Sequence, residues 1–273
     1  MQLAPDFFEY FAAMAPVLDA DPARLWCASS WSDHGQAKFV GDPSAVYRSD
    51  FFPGLGWMLT SATWDTLTSS WPTAFWDDWM RMNATRKGRQ CVRPEMCRTY
   101  NIGRLGASRG QFYDQYLAPV AMNTQFVPWT AHNLSFLADA EQYESFMAAL
   151  VGAASPIDSA TAALRVASAV TEDDPPGADL VYAYSNGPQY TAFAAGLGLM
   201  KDLKEGQPRG SYKGVVTVRL HGTTRLFIAP AAYVDQVRRE LRTQVQKEHP
   251  PGEAESTDHA PVVVGGEPGA GQL

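Results

Sequence analysis

Residues 72–81 read Pro72-Thr73-Ala74-Phe75-Trp76-Asp77-Asp78-Trp79-Met80-Arg81, and the stretch runs on to Lys87-Gly88. Thr73 can cap a helix, and the residues that follow are mostly helix formers. On such a helix Trp76, Trp79 and Met80 share a face, because positions three and four apart are neighbours. Asp77 lies about 100° round from Trp76, at the edge of that apolar face. Carboxylates set against aromatic walls tend to hold on to a proton and can take one up. The same acids also suit a helix N-terminus on charge grounds alone, and that reading stays open at this point. Asp77 and Asp78 diverge by about 100° as adjacent helical positions, so they do not suit chelation of one ion.

The chain has 273 residues, a formal net charge of -7 and 8 Trp, 11 Tyr and 13 Phe. That length supports one large domain or two modest ones with a substantial core. The negative charge argues against a nucleic-acid backbone as partner. No apolar run reaches the ~18 residues of a membrane span, and no basic segment followed by an apolar one marks a signal peptide. Composition alone therefore reads as a soluble cytosolic chain. Three cysteines are too few for a disulfide scaffold and too scattered for zinc. A bridge from Cys27 to Cys91 or Cys97 is compatible with the spacing, and so are three reduced thiols. Asn83-Ala84-Thr85 and Asn133-Leu134-Ser135 are sequons that permit glycosylation without showing it.

Outward from the central stretch, Pro5–Leu18 is expected to be a helix with an apolar stripe of Phe7, Phe11, Met14 and Leu18. Leu25–Ser29 reads as a buried strand. Ser32–Gly35 is a turn that leaves His34 in solvent. Val46–Arg48 is extended. Gly54 and Gly56, flanking Leu55, mark a tight turn or a ligand against the backbone. Ser61–Leu67 is a short helix, and Arg86–Arg89 is a solvated cationic helix end. Asn101–Gly110 is Gly-rich, carries Ser108 and stands among Arg98, Arg104 and Arg109. It matches no dinucleotide or P-loop pattern, yet could offer N–H groups and a hydroxyl to a diphosphate. Gln111–Leu117 reads as a helical continuation, Asn133–Leu150 as a helix and 155–178 as a linker. A strand (Leu180–Tyr184), a helix (Gln189–Leu199) and a hairpin of Val215–Leu220 with Arg225–Ala229 form a small α+β module. Beyond Glu248 the composition predicts a disordered tail.

Four segments carry a resemblance to a known family. They are Asp6–Phe11, Tyr47–Trp57 (with Pro53-Gly54-Leu55-Gly56-Trp57), Phe75–Arg81 and Gly110–Gln115. Together with Ala192-Phe193 and Gly214–Thr217, they resemble the β-1,2-N-acetylglucosaminyltransferase I family, from about residue 3 to 233. The resemblance implies an α/β fold: the C-terminal portion of a GT-A glycosyltransferase domain with an incomplete sheet. The expected divisions are 1–120 for its acceptor side, 121–178 for a helical connection and linker, 179–235 for the small module, and 236–273 for a helix end and tail.

The implied activity is a Mn²⁺-dependent, inverting transfer of GlcNAc from UDP-GlcNAc to the 2-hydroxyl of the α-1,3-linked mannose of a Man5 N-glycan. The implied site is the lumenal side of the Golgi membrane. The motif assigns Asp77 as the base and Ser108, in Gly103-x-x-Gly106-x-Ser108, as a contact to the donor diphosphate. Leu55, Trp76 and Gly106 are implied on the donor side. The family pairs Cys27 with Cys91, which leaves Cys97 a free thiol or a competing partner. Its Glu-Asp-Asp metal motif would stand just before Met1, so no metal ligand is assigned in this chain. Glu172-Asp173-Asp174 is no substitute, because it precedes Pro-Pro-Gly rather than following a buried strand. The resemblance also places the membrane anchor outside these residues, and the expectation is that the chain alone does not turn over UDP-GlcNAc. Two other readings stand beside it: an O-mannose β-1,2-GlcNAc-transferase of the same family, and a non-catalytic carbohydrate-binding remnant.

Overall fold

A computed structural model describes residues 1–104, 110, 112–169 and 178–248. In chain order the elements begin with β1 (Gln2–Leu3), α1 (Phe7–Ala20), β2 (Leu25–Ser29), β3 (Val46–Ser49), β4 (Trp57–Met58) and α2 (Ser61–Thr68). Then come α3 (Trp76–Arg81), α4 (Asn83–Arg86), β5 (Gln90–Pro94), β6 (Thr99–Tyr100), α5 (Ser135–Ala138) and α6 (Ala140–Ala153). The C-terminal elements are β7 (Ser155–Pro156), α7 (Ala160–Ser168), β8 (Leu180–Tyr184), α8 (Gly187–Leu197), β9 (Leu203–Lys204), β10 (Gln207–Pro208), β11 (Val216–Leu220), β12 (Thr224–Pro230) and α9 (Ala231–Glu248).

The architecture is mixed α/β with two open four-stranded sheets. The first has order β3-β5-β2-β4, with β2 and β5 parallel and the outer pairs antiparallel. The second has order β11-β12-β8-β7, with parallel pairing from β12 through β7. β2 is buried at every position, as its unbroken Leu-Trp-Cys-Ala-Ser run implies for a strand covered on both faces. The second sheet obeys the period of two. Val181 and Phe227 face a core shared with α1, α6 and α9, while Leu180, Leu226 and Ile228 face α7 and α8. No helix among the described residues is long and apolar enough to cross a membrane.

Asp6 anchors the N-terminal helix. It occupies the N-cap position of α1 without making a side-chain cap bond. Its carboxylate instead accepts from Arg98 Nε (3.2 Å) and Nη2 (3.1 Å), Trp129 Nε1 (2.8 Å) and Asn123 Nδ2 (3.0 Å). Asp6 and Arg98 are both fully buried, so these bonds replace the water each group gives up. The core face of α1 is Tyr10, Ala13, Met14, Val17 and Leu18. Phe7 and Phe11 are only partly buried, so the face is rotated from the stripe that the spacing suggests.

Several expectations give way. The helix over Asn133–Leu150 is interrupted at Asp139, whose carboxylate caps α6 through Glu141 N and Gln142 N. The linker expected over 155–178 contains a strand paired to β8 and the helix α7, with Ala163 and Ala167 buried in the second core. Its Ala/Ser composition serves close packing: a Cβ on Gly196 of α8 would lie 2.9 Å from Ala160 Cβ. Within Gln111–Leu117, Tyr113–Leu117 forms a single π-helical turn. Residues 105–109, 111, 170–177 and 249–273 lie outside the described residues. Ser108, Gly106, Glu172-Asp173-Asp174 and the tail expected to be disordered fall there.

Candidate active site

The central stretch forms two short helices rather than one. Met82 is extended (φ -66, ψ 140) and divides α3 from α4. Thr73 is exposed and does not cap. The N-cap of α3 is Phe75, in the left-handed region at φ 55, ψ 39 and with no side-chain cap bond. Trp76, Trp79 and Met80 face inward as the spacing predicts. They join Trp26, Phe52, Leu67 and the Cys27–Cys91 disulfide in one aromatic cluster. Cys27 and Cys91 are direct neighbours across the parallel β2–β5 pair, which brings the two thiols together. Trp76 lies against Phe52, Trp57 and Trp71, with ring centroids 5.6–6.2 Å away.

Asp77 sits at the rim of that cluster, its side chain 43% exposed. Arg81, one turn on, donates from Nη1 to Asp77 Oδ2 at 2.9 Å and to Asp78 Oδ1 at 3.3 Å. Arg81 Nε also donates to Phe52 O at 3.3 Å, which ties the helix to the chain entering Pro53-Gly54-Leu55-Gly56. Asp77 Oδ1 has no hydrogen-bond partner among the described residues. Gly54 closes the other side: a Cβ there would lie 3.3 Å from Arg81 Nη2 and 3.7 Å from Asp77 Cβ.

The glycine turn is pinned from the end of β2. Ser29 Oγ donates to Pro53 O at 3.0 Å and Ser30 Oγ to Gly56 O at 2.8 Å. Gly56 needs to be glycine twice over. Its φ is +62, and a Cβ would lie 2.3 Å from Ser30 Oγ. Leu55 between the two glycines is partly buried and packs with Trp31, Cys97 and Val120. The turn thus presents Gly54 to Asp77 and Leu55 to a separate apolar cluster. Cys97 is a free, fully buried thiol whose Sγ accepts from Ser32 N at 3.2 Å. Burial pushes it up to about 12, with the Ser32 bond acting in the opposite direction.

A hairpin from the C-terminal half completes the site. β9 and β10 pair through a two-residue turn with Glu205 (φ 48) and Gly206 (φ 81) both left-handed, the geometry that tight hairpins favour. At its tip Lys204 Nζ lies 3.0 Å from Asp78 Oδ1, and the Glu205 carboxylate accepts from Asn83 N at the start of α4. Burial alone would raise the Asp78 carboxyl. The bonds and charges of Lys204 and Arg81 outweigh it and hold the group below the usual carboxylate range. At the hairpin's base Arg209 binds both Asp202 oxygens (2.9 and 2.8 Å) and Asp33 (3.3 Å). Its backbone carbonyl meets His34 Nε2 at 3.1 Å.

His34 and Arg86 correct the sequence reading. His34 is 2% exposed, and burial lowers it to about 4 against the opposing charge of Asp33. Arg86 is a buried partner of Asp50 (3.2 Å) and Asn83 (3.0 Å), not a solvated helix end. Arg81 is a site residue that the sequence reading missed, although its place one turn after Asp77 is the signal that could have found it. Lys204 and Glu205 carry no local signal, because they reach α3 and α4 only through the fold. Among the described residues no three His, Cys, Asp or Glu side chains come together to hold a metal. Asp77 and Asp78 engage Arg81 and Lys204 instead.

An α/β domain with open sheets is consistent with a glycosyltransferase-like domain. The family model described as the GNT-I family matches residues 1–240, and the chain belongs to that family. It is 45% identical over 228 residues to the alpha-1,3-mannosyl-glycoprotein 2-beta-N-acetylglucosaminyltransferase of Arabidopsis thaliana. That match covers 84% of this chain and 49% of the relative, so the chain spans about half the length of the relative it matches.

Proposed function

We propose that these residues form the acceptor side of an inverting GT-A β-1,2-N-acetylglucosaminyltransferase. It would move GlcNAc from UDP-GlcNAc to the 2-hydroxyl of the α-1,3-linked mannose of a Man5 N-glycan. The observation that carries the reading is Asp77, half exposed between the aromatic rim and Gly54 in a segment spanned by the family match. Inversion needs one base on the face opposite the leaving group. Asp77 is that base. Arg81 holds Oδ2, which orients the carboxylate and leaves Oδ1 free among the described residues to meet the mannose hydroxyl. As the hydroxyl oxygen bonds to the anomeric carbon, its proton passes to Asp77 and the C1–O bond to UDP breaks.

The negative charge left on UDP needs electrophilic support, which Mn²⁺ supplies in the activity that the resemblance implies. No three His, Cys, Asp or Glu side chains among the described residues come together for that ion, so none of them is assigned to it. Trp76 stands beside the base in the aromatic cluster, and Leu55 packs one residue from Gly54. The Cys27–Cys91 bridge suits an oxidising lumen such as that of the Golgi. The activity in the Arabidopsis relative's name favours the N-glycan acceptor over O-mannose.

The test is transfer of GlcNAc to a Man5 glycan by the natural gene product, wild type against Asp77→Asn. The expected loss is on the order of 10²–10⁴-fold in kcat, the usual share of a positioned base. Equal rates would overturn the assignment of Asp77. No transfer by the wild type, with the glycan still bound, would leave the non-catalytic carbohydrate-binding reading.

A further inference from the structure

Phe75 breaks three local rules at once. It is 78% exposed, the most exposed large apolar side chain among the described residues. Its backbone lies in the left-handed region, which L side chains disfavour. It also fills the N-cap of α3, where Ser, Asp or Asn would satisfy an orphan N–H. Glycine or asparagine would resolve all three. No aromatic ring of the described residues stacks on it, unlike Trp57, Trp71 and Trp76 just inside the rim. Residues held against local preference in this way cluster at functional sites.

The surroundings define the occupant. Thr73 and Ala74 beside it are exposed and small, and Asp77 and Asp78 follow within three residues. The ring's chain neighbours are thus small or acidic rather than apolar, a setting that suits neither a protein helix nor a lipid surface. A pyranose matches it: its C–H face lies on an aromatic ring while its hydroxyls reach the adjacent acid. Because Phe75 O accepts from Trp79 N at 3.0 Å, the helix fixes the Phe75 backbone two residues ahead of Asp77.

We propose that Phe75 is a sugar platform of this site, the ring on which a pyranose of the mannose-bearing acceptor rests while Asp77 meets its hydroxyl. The inference rests on the acceptor reading above. The left-handed backbone aims the ring outward, and its strain is kept because the ring contacts the ligand.

The experiment measures binding of a free Man5 oligosaccharide to the natural gene product by calorimetry or saturation-transfer NMR, with Tm recorded in parallel. Phe75→Gly should weaken binding at least fivefold while raising Tm by about 3 °C, since glycine relieves the left-handed strain. Phe75→Trp should bind within twofold of wild type. A ring serving only the fold gives the opposite signs, with Phe75→Gly melting lower and binding unchanged. If the wild type binds Man5 and Phe75→Gly binds it equally, the platform falls and the acceptor reading stands. If the wild type does not bind, the acceptor reading fails and the platform with it.

Discussion

Lys204 Nζ lies 3.0 Å from Asp78 Oδ1, so a turn between β9 and β10 grips the helix that carries the proposed base. Arg81 is shared between Asp77 and Asp78, and Lys204 supplies the second cation that this pair of acids needs. Lys204→Met removes that cation and keeps the chain length of the stem. Asp78 should then titrate at higher pH, because a partner that holds its carboxyl down is gone. A carboxyl ¹³C NMR titration reads this directly, and Lys204→Arg should restore the wild-type curve. An unchanged Asp78 titration in Lys204→Met would show that Arg81 alone sets it.

His34 gives the fold a pH dependence of defined sign. Burial lowers it from 6.5 to about 4, so the folded state refuses a proton that the unfolded state takes. The neutral form is therefore fully compatible with folding above pH 6.5. Stability is lost as pH falls from there toward 4, by about 3 kcal/mol in all. Urea titrations at pH 7 and 4.5 should show the loss, and His34→Gln should flatten that part of the profile.

Asp6 is the hub of the N-terminal anchor. Asp6→Asn keeps the shape but leaves the Arg98 guanidinium buried without its counter-charge. The expected cost is about 3–5 kcal/mol, read as a lowered denaturation midpoint. Arg98→Met alone should be as damaging, and the double variant Asp6→Asn/Arg98→Met less than the sum of the two.

Gly56→Ala should destabilise by about 2–4 kcal/mol. It adds both a left-handed penalty and a methyl 2.3 Å from Ser30 Oγ and 2.8 Å from Thr99 Cγ2. Ser30→Gly in the same background should recover part of the loss, because the nearest clash disappears.

The thiols should separate cleanly. Cys97, fully buried and pushed up to about 12, should resist alkylation at pH 8 until the chain unfolds. Reducing Cys27–Cys91, which lie 64 residues apart, should cost about 4 kcal/mol in the loop-entropy account. Mass spectrometry of the native protein after alkylation would show no adduct. A modified Cys97 peptide would contradict its burial.

What could be read from sequence follows how local each cause is. β2 ends where its apolar run ends, and α2 starts at Ser61 as expected, with Thr60 capping it through Thr63 N. The inward faces of Trp76, Trp79 and Met80 follow from spacing alone. Burial of His34 and Arg86 could not be foreseen, because their partners Arg209 and Asp50 come from distant parts of the chain. The stretch after Ser155 misled for a related reason: small residues that read as a linker are what α7 needs to approach Gly196. At the site, Asp77 was legible from its motif and Arg81 was missed despite its i,i+4 spacing, whereas Lys204 and Glu205 arrive only when the hairpin docks.

One consequence follows from the core that α1, α6 and α9 share with inward residues of both sheets. Unzipping either sheet would strip its neighbour of apolar cover, so neither has an inexpensive partial opening of its own. Amide exchange in β2 and in β12 should therefore report the same free energy, that of losing the entire folded body at once.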